Sequence, residues 1–129
     1  MHKLYVQTDV RTQFVDITQR INTHIARSNP QSALCHVFVP HTTAGLMLNE
    51  NSDPCVLADI REYLETIVPW CNNYSHYEGN SAAHIKASIL GQQQLLPISE
   101  QRLVLGRWQA LFLAEFDGPR QREIWLTLL

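Results

Sequence analysis

His41-Thr42-Thr43-Ala44-Gly45-Leu46-Met47-Leu48-Asn49-Glu50-Asn51-Ser52-Asp53-Pro54 is the stretch on which the fold turns. Pro40 ends whatever precedes it, and Gly45 to Asn49 reads as a strand, so His41 falls in a tight connection at a sheet rim. Asp53 then reads as an N-cap with Pro54 at the first helical position, which satisfies an orphan amide and uses the fixed φ of proline. A histidine, two hydroxyls, an amide and an acid thus surround one short apolar strand between a sheet and a helix.

Working upstream, Leu34 to Val39 is almost entirely apolar and predicts a strand covered on both faces. Ile17, Ile21 and Ile25 recur every four residues, which predicts a helix starting near Asp16 or Thr18 and ending before Ser28-Asn29-Pro30. Its face of Gln19, Arg20, Asn22 and Arg27 reads as solvated. Lys3 to Gln7 and Thr12 to Ile17 are rich in β-branched and aromatic residues and predict an opening hairpin around Thr8-Asp9-Val10-Arg11.

Downstream, Val56, Leu57, Ile60, Leu64 and Ile67 form the core stripe of the helix that Asp53 starts, with Asp59 on its flank. Val68-Pro69-Trp70 stops it. The polar loop from Cys71 to Gly79 carries Tyr74, His76, Tyr77 and Glu78, and loops of such content often carry function. Asn80 or Ser81 can cap a helix from Ala82 to Leu90, closed by Gly91 in the left-handed conformation, with His84 in the first turn. The helix dipole there favours the neutral ring.

The last third predicts strands at Gln94–Ile98, Arg102–Leu105, Trp108–Phe116 and Glu123–Leu129, arranged as an antiparallel meander. With a four-residue turn at Asp117 to Arg120, Glu115 and Arg122 would face each other across the ladder and pair. The sum is an α+β domain in which antiparallel strands pack with two or three helices.

A length of 129 residues predicts one domain spanning 1–129, and 45% hydrophobic with 17% charged residues is ordinary for a globular chain. A net charge of -2, with 10 Lys and Arg and no basic run, argues against nucleic-acid and membrane-surface partners. No signal peptide or spanning run is visible, which predicts a cytoplasmic protein. Cys35, Cys55 and Cys71 form no CxxC pair and read as reduced, partly buried thiols.

Chemistry concentrates in His41, His76 and His84, accompanied by Glu50, Asp59, Asn80 and Gln109. Three imidazoles would leave Zn²⁺ one open position for a water or substrate. The competing reading makes each an ordinary polar residue at an element end, since spacing alone does not bring three such side chains together. Terminal His2 and helical His24 carry less weight, and His36 inside an apolar strand reads as a hydrogen-bonded core residue. Trp108-Gln109 reads as strand packing with one polar partner. Arg107, Arg120 and Arg122 are the candidates for an anionic ligand. A glycine-rich phosphate cradle, a GxSxG elbow and a CxxC pair are all missing.

His41-Thr42-Thr43-Ala44, Leu48 to Pro54, Tyr74-Ser75-His76, His84 to Ser88, Leu90-Gly91, Leu96-Pro97-Ile98 and Leu105 to Gln109 closely resemble the YjbQ-like family. The resemblance covers nearly the whole chain. It implies a β-sandwich within the α+β class, a homotrimer with polar sites near subunit boundaries, and a weak secondary thiamine-phosphate synthase activity. That activity joins a pyrimidine diphosphate to a thiazole phosphate and releases pyrophosphate. Carried over by motif, His41, His76 and His84 would be the metal or catalytic histidines, with Asn49, Glu50, Asp59 and Gln109 around them. Two departures stand out: Gln101 where the family usually has glycine, and Arg107 where it has a small residue.

Holding a diphosphate calls for Mg²⁺ and cationic side chains. Lys86, Arg107, Arg120 and Arg122 are the available cations, so Lys86, Arg107 and Asn49 are expected to contact the cofactor or ligand, with Zn²⁺ or Mg²⁺ as the divalent ion. Two further functions fit the same residues. One is a metal-dependent hydrolase of a small ester, amide or phosphate with Glu50 or Asp59 as base; the other is a non-catalytic trimer that binds a small anionic metabolite.

Overall fold

A computed structural model describes residues 1–28 and 31–129. The elements run β1 (His2–Gln7), β2 (Gln13–Asp16), α1 (Thr18–Ser28), β3 (Leu34–Phe38), β4 (Ala44–Glu50), α2 (Pro54–Ile67), α3 (Ser81–Leu90), β5 (Gln93–Ser99), β6 (Arg102–Leu103), β7 (Gln109–Glu115) and β8 (Gln121–Leu128). Among the described residues, three helices and two antiparallel sheets make the α+β class expected from the sequence. The larger sheet has the order β1-β8-β3-β5-β6 and the smaller one β2-β7-β4.

Alternation along the strands builds the layers. Leu4, Val6, Val37, Ile124 and Leu126 of the large sheet meet Leu46, Leu111 and Leu113 of the small one, and Ile21 and Ile25 of α1, with Ile17 just before it, complete that core. The opposite face of the small sheet, with Met47, Ala110, Phe112 and Ala114, packs on Leu57, Ile60 and Leu64 of α2 and on Ala83, Ala87 and Leu90 of α3. The strand covered on both faces is therefore β7, where Ala110 to Glu115 are all buried. In β3 only Cys35 and Val37 are buried. The outer face of the large sheet is uncovered, with half-buried Leu34, Phe38 and Trp125 beside exposed Tyr5 and Leu95.

This layering corrects four readings. β1 pairs with β8 and β2 with β7, so the opening strands belong to different sheets and form no hairpin. The last four strands are likewise split between the sheets and form no meander; only β5 and β6 make a hairpin. Glu115 and Arg122 do pair, but across the gap between the sheets rather than along a ladder. Of the cysteines, only Cys35 is buried, and its thiol pKa is pushed up to about 11 by burial; Cys55 and Cys71 are exposed.

The helix signals acted largely as read. The Asp53 carboxylate accepts the Cys55 amide at 2.9 Å and Pro54 opens α2. Its stripe swings at the end, where Ile67 is half-exposed and Val68 is buried instead. Helix α1 ends at Ser28; Asn29 and Pro30 lie outside the described residues. Its Asn22 is not solvated but accepts the Leu103 amide at 2.8 Å, tying the helix to β6. Gly91 follows α3 at φ 85° and ψ 164°, a positive φ with extended ψ rather than the left-handed helical conformation. No described helix is long and apolar enough to cross a membrane.

Candidate functional site

The polar loop after α2 folds back over the first turn of α3. Tyr74, Ser75, His76, Ser81, His84 and Ile85 line a cavity of about 440 Å³ between them. The Tyr74 hydroxyl donates to the Pro69 carbonyl, which pins the loop to the end of α2. Asn80 sits at the N-cap of α3, yet its side chain does not cap. Its Nδ2 donates instead to Asp117 Oδ2 at 3.0 Å, and its buried Oδ1 has no partner among the described residues.

The imidazoles of His76 and His84 stand perpendicular with centroids 5.6 Å apart. Two imidazoles on one tetrahedral Zn²⁺, each nitrogen about 2 Å from the metal, have centroids roughly 5 Å apart. The observed separation is close to that of two neighbouring ligands of one ion. Glu78 Oε2 lies 3.6 Å from His76 Nε2 and is near enough to orient that ring.

His41 does not line this cavity. Its Nε2 accepts the Glu123 amide at 2.9 Å, so the single proton of its neutral ring sits on Nδ1. With Nε2 engaged and Nδ1 protonated, His41 presents an N–H in this geometry. Behind it lies a buried polar network. Arg122 Nε donates to both Glu115 oxygens at 2.9 and 3.1 Å, and its Nη2 reaches Glu115 Oε2 and, at 2.7 Å, Thr43 Oγ1. Thr8 Oγ1 donates to Glu115 Oε1 at 2.8 Å. The second threonine of the His41-Thr42-Thr43 run thus carries the histidine's loop onto the ion pair.

Burial, and then the neighbouring Arg122 cation, hold the His41 imidazole below its ordinary 6.5, against the opposing pull of Glu123 and Glu115. Since the unfolded chain protonates first, His41 contributes stability that is present above about pH 6.5 and lost as pH falls from there toward the lower folded value. An NMR titration of the His41 Cε1–H should give a midpoint below that of an unfolded control. A midpoint at or above the control would show that neither the burial nor the cation outweighs the two carboxylates.

The remaining sequence candidates separate. Asn49 and Glu50 close β4; Asn49 Oδ1 accepts the Glu50 amide at 2.8 Å and Ser52 donates to Glu50 at 2.6 Å. Gln109 pairs in register with Glu50, and its Oε1 accepts the Gly106 amide at 2.7 Å. Arg107 stacks on Trp108, which is exposed and not packed in a strand. Asp59 is exposed on α2 beside Cys55, whose thiol pKa is raised by Asp53 first and by Asp59 last. Lys86 is fully buried, paired with Glu65.

His36 bonds Gln93 at 2.9 Å on the outer face of the large sheet, not in the core. Among the described residues no group of three His, Cys, Asp or Glu is arranged to hold a metal ion. His76 and His84 come together, while His41 and the Glu50–Gln109 pair are placed apart from their cavity. Sequence reading did not single out Thr8, Thr43 or Glu123 as partners of this region; Glu115 and Arg122 were legible as a pair.

The family model described as UPF0047 protein YjbQ-like matches residues 2–129. UPF0047 protein MJ1081 of Methanocaldococcus jannaschii is 43% identical over 129 residues, covering 100% of this chain and 94% of the relative. UPF0047 protein YugU of Bacillus subtilis is 36% identical over 98% of this chain and 96% of its own length. Among solved structures, a YjbQ/UPF0047 family protein of Clostridium acetobutylicum matches with a TM-score of 0.96 at 40% identity, covering 100% of both chains. The conserved hypothetical protein TT1486 of Thermus thermophilus matches with 0.94 at 42%, again covering 100% of both.

Proposed function

From the premise that the chain belongs to the UPF0047 YjbQ-like family, we propose that it is a small-molecule enzyme that works at the His76–His84 cavity with a divalent transition metal ion. The observation that carries this reading is the perpendicular imidazole pair, 5.6 Å apart, facing one cavity. A bound ion would supply Lewis-acid polarisation of a ligand oxygen. His76 and His84 would hold it. Ser75, Ser81 and Tyr74 offer hydroxyls to orient a ligand, and Ile85 supplies an apolar wall. With only two protein ligands the ion keeps positions for water and for an anionic small molecule.

The homotrimer belongs to this proposal. The uncovered outer face of the large sheet, where half-exposed Tyr5 and Leu95 stand among Lys3, His36 and Glu123, is the mixed surface that assembly would cover. Light scattering on the purified protein tests it by mass.

Joining a pyrimidine diphosphate to a thiazole phosphate is the finer activity that the family resemblance suggests. The cations it would use are largely engaged elsewhere: Lys86 with Glu65, Arg120 with Asp117 and Arg122 with Glu115. Formation of thiamine phosphate by purified protein tests that activity separately.

The deciding experiment is elemental analysis of untagged protein purified without chelators, beside His84→Ala and His41→Ala. About one transition metal per chain, lost in His84→Ala and kept in His41→Ala, is the expected result. Loss in His41→Ala would return His41 to the ligand set. No metal in wild type, and none taken up on Zn²⁺ titration, would overturn the metal reading and favour a non-catalytic anion-binding protein.

A further inference from the structure

A second concavity shares no lining residue with the His76–His84 cavity, and the proposal above does not use it. The face of α1 made by Gln19, Asn22, Thr23, Ala26 and Arg27 looks across to the β5–β6 hairpin. Two cavities of about 540 and 590 Å³ run along this seam and share Asn22, Glu100 and Arg102. The second continues to Ser99, Gly106, Arg107 and Gln109. Each is of the size that small-molecule sites occupy.

Charge is distributed unevenly in this groove. Lys3, Lys86, Arg120 and Arg122 are all in ion pairs. Arg27 and Arg102, by contrast, are exposed and have no ion pair among the described residues, and both line the groove. Arg107 at its far end sits over the Trp108 ring, with the guanidinium carbon 4.8 Å from the ring centroid. A stacked guanidinium keeps its N–H edge available for a carboxylate or phosphate. Among the described residues of the lining Glu100 is the one acidic side chain, against three arginines.

The hairpin turn adds a separate observation. Glu100 and Gln101 lie at φ 51° and 60°, in the left-handed region where two-residue hairpins prefer Asn-Gly. Non-glycine residues held there carry a backbone cost and cluster at ligand-binding and switch regions. Both side chains line the groove. Its floor is polar and positioned: Asn22 is fixed through Oδ1 by the Leu103 amide, which orients its Nδ2 donors.

We infer that the groove between α1 and the β5–β6 hairpin binds a small organic anion with two or more carboxylate or phosphate groups. Arg27 neutralises one end and Arg107 the other, while Arg102 and the Asn22 amide stand where the two cavities join and Gln19 lines the Arg27 end. The multiple charge follows from the arginines' being spread along the groove rather than gathered at one point.

The test is a titration of the ¹⁵N-labelled protein with citrate and with pyrophosphate at constant ionic strength, followed by amide shifts. Saturable shifts at Asn22, Thr23, Arg102 and Gly106 are expected, with affinity weakened about tenfold or more in Arg27→Gln/Arg102→Gln, since each lost charge-assisted contact is worth about a factor of ten. These side chains are exposed, so the variant should keep the wild-type spectrum elsewhere. No saturable shift, or shifts that sodium chloride reproduces, overturns the inference. So do shifts that the double variant leaves unchanged, and shifts confined to residues 74–85, which would place the anion at the histidine cavity instead.

Discussion

Arg122→Met should destabilise the protein by about 3–5 kcal/mol, because it strands a charged partner in the interior. Glu115 is 0% exposed and the Arg122 side chain 3%. Arg122 supplies three of the contacts to the Glu115 oxygens; Thr8 Oγ1 and the Asp117 amide, at 2.8 and 3.1 Å, are the others. Two neutral donors cannot offset the desolvation of a carboxylate. The loss is read as a shift in urea midpoint at unchanged slope. Glu115→Leu/Arg122→Met should recover most of it, since exchanging a whole buried pair for apolar side chains is often near neutral. A single-variant loss below about 1 kcal/mol would mean that Glu115 reaches water or another cation.

The same substitution separates stability from electrostatics at His41. Removing the guanidinium removes the cation that lowers the imidazole, while Glu115 and Glu123 still raise it. The His41 midpoint should therefore rise in Arg122→Met and fall back in the double variant, in which Glu115 is also neutralised. No apolar repacking would produce that order.

Local signals explain why some of this architecture was legible. Asp53-Pro54 specifies a helix start from two adjacent residues, and Ile17, Ile21 and Ile25 specify a buried helix face from their spacing alone. Sheet membership is different, because a strand's partner is chosen by tertiary packing. Lys3 to Gln7 and Thr12 to Ile17 are four residues apart and still join different sheets, since β1 finds its hydrogen bonds on β8 and β2 on β7. Leu34 to Val39 has the composition of a doubly covered strand, but that place goes to β7, where the small residues Ala110 and Ala114 face the helices.

For the site, residue type announced the histidines, and spacing said nothing of their convergence. His76 and His84 meet because the loop closes over the turn that presents His84. His41 is drawn to the Glu123 amide, a backbone partner 82 residues away that no side-chain pattern encodes. Lys86 illustrates the converse. A lysine near a helix start looks available to an anion, yet the α2–α3 packing buries it against Glu65.

Gly118→Ala should cost about 1–3 kcal/mol or more through overpacking. A Cβ there would stand 2.3 Å from the Val10 carbonyl oxygen, 2.8 Å from Thr8 Oγ1 and 3.0 Å from Glu115 Cγ. The nearest of these is backbone, so no side-chain rotation relieves it, and the 8–12 segment must withdraw from the 117–120 turn. That withdrawal would pull on the Gly118 amide's bond to the Arg11 carbonyl, 3.0 Å, and on Thr8, which supports both Glu115 and the Arg120 amide. Gly118→Ala and Arg122→Met thus damage one shared network, and together they should cost less than the sum of the two. A double-mutant cycle in urea measures the difference, with a coupling of at least about 0.5 kcal/mol expected for residues that share partners. Additive losses would show that the turn and the ion pair are held independently, and that Thr8 does not join them.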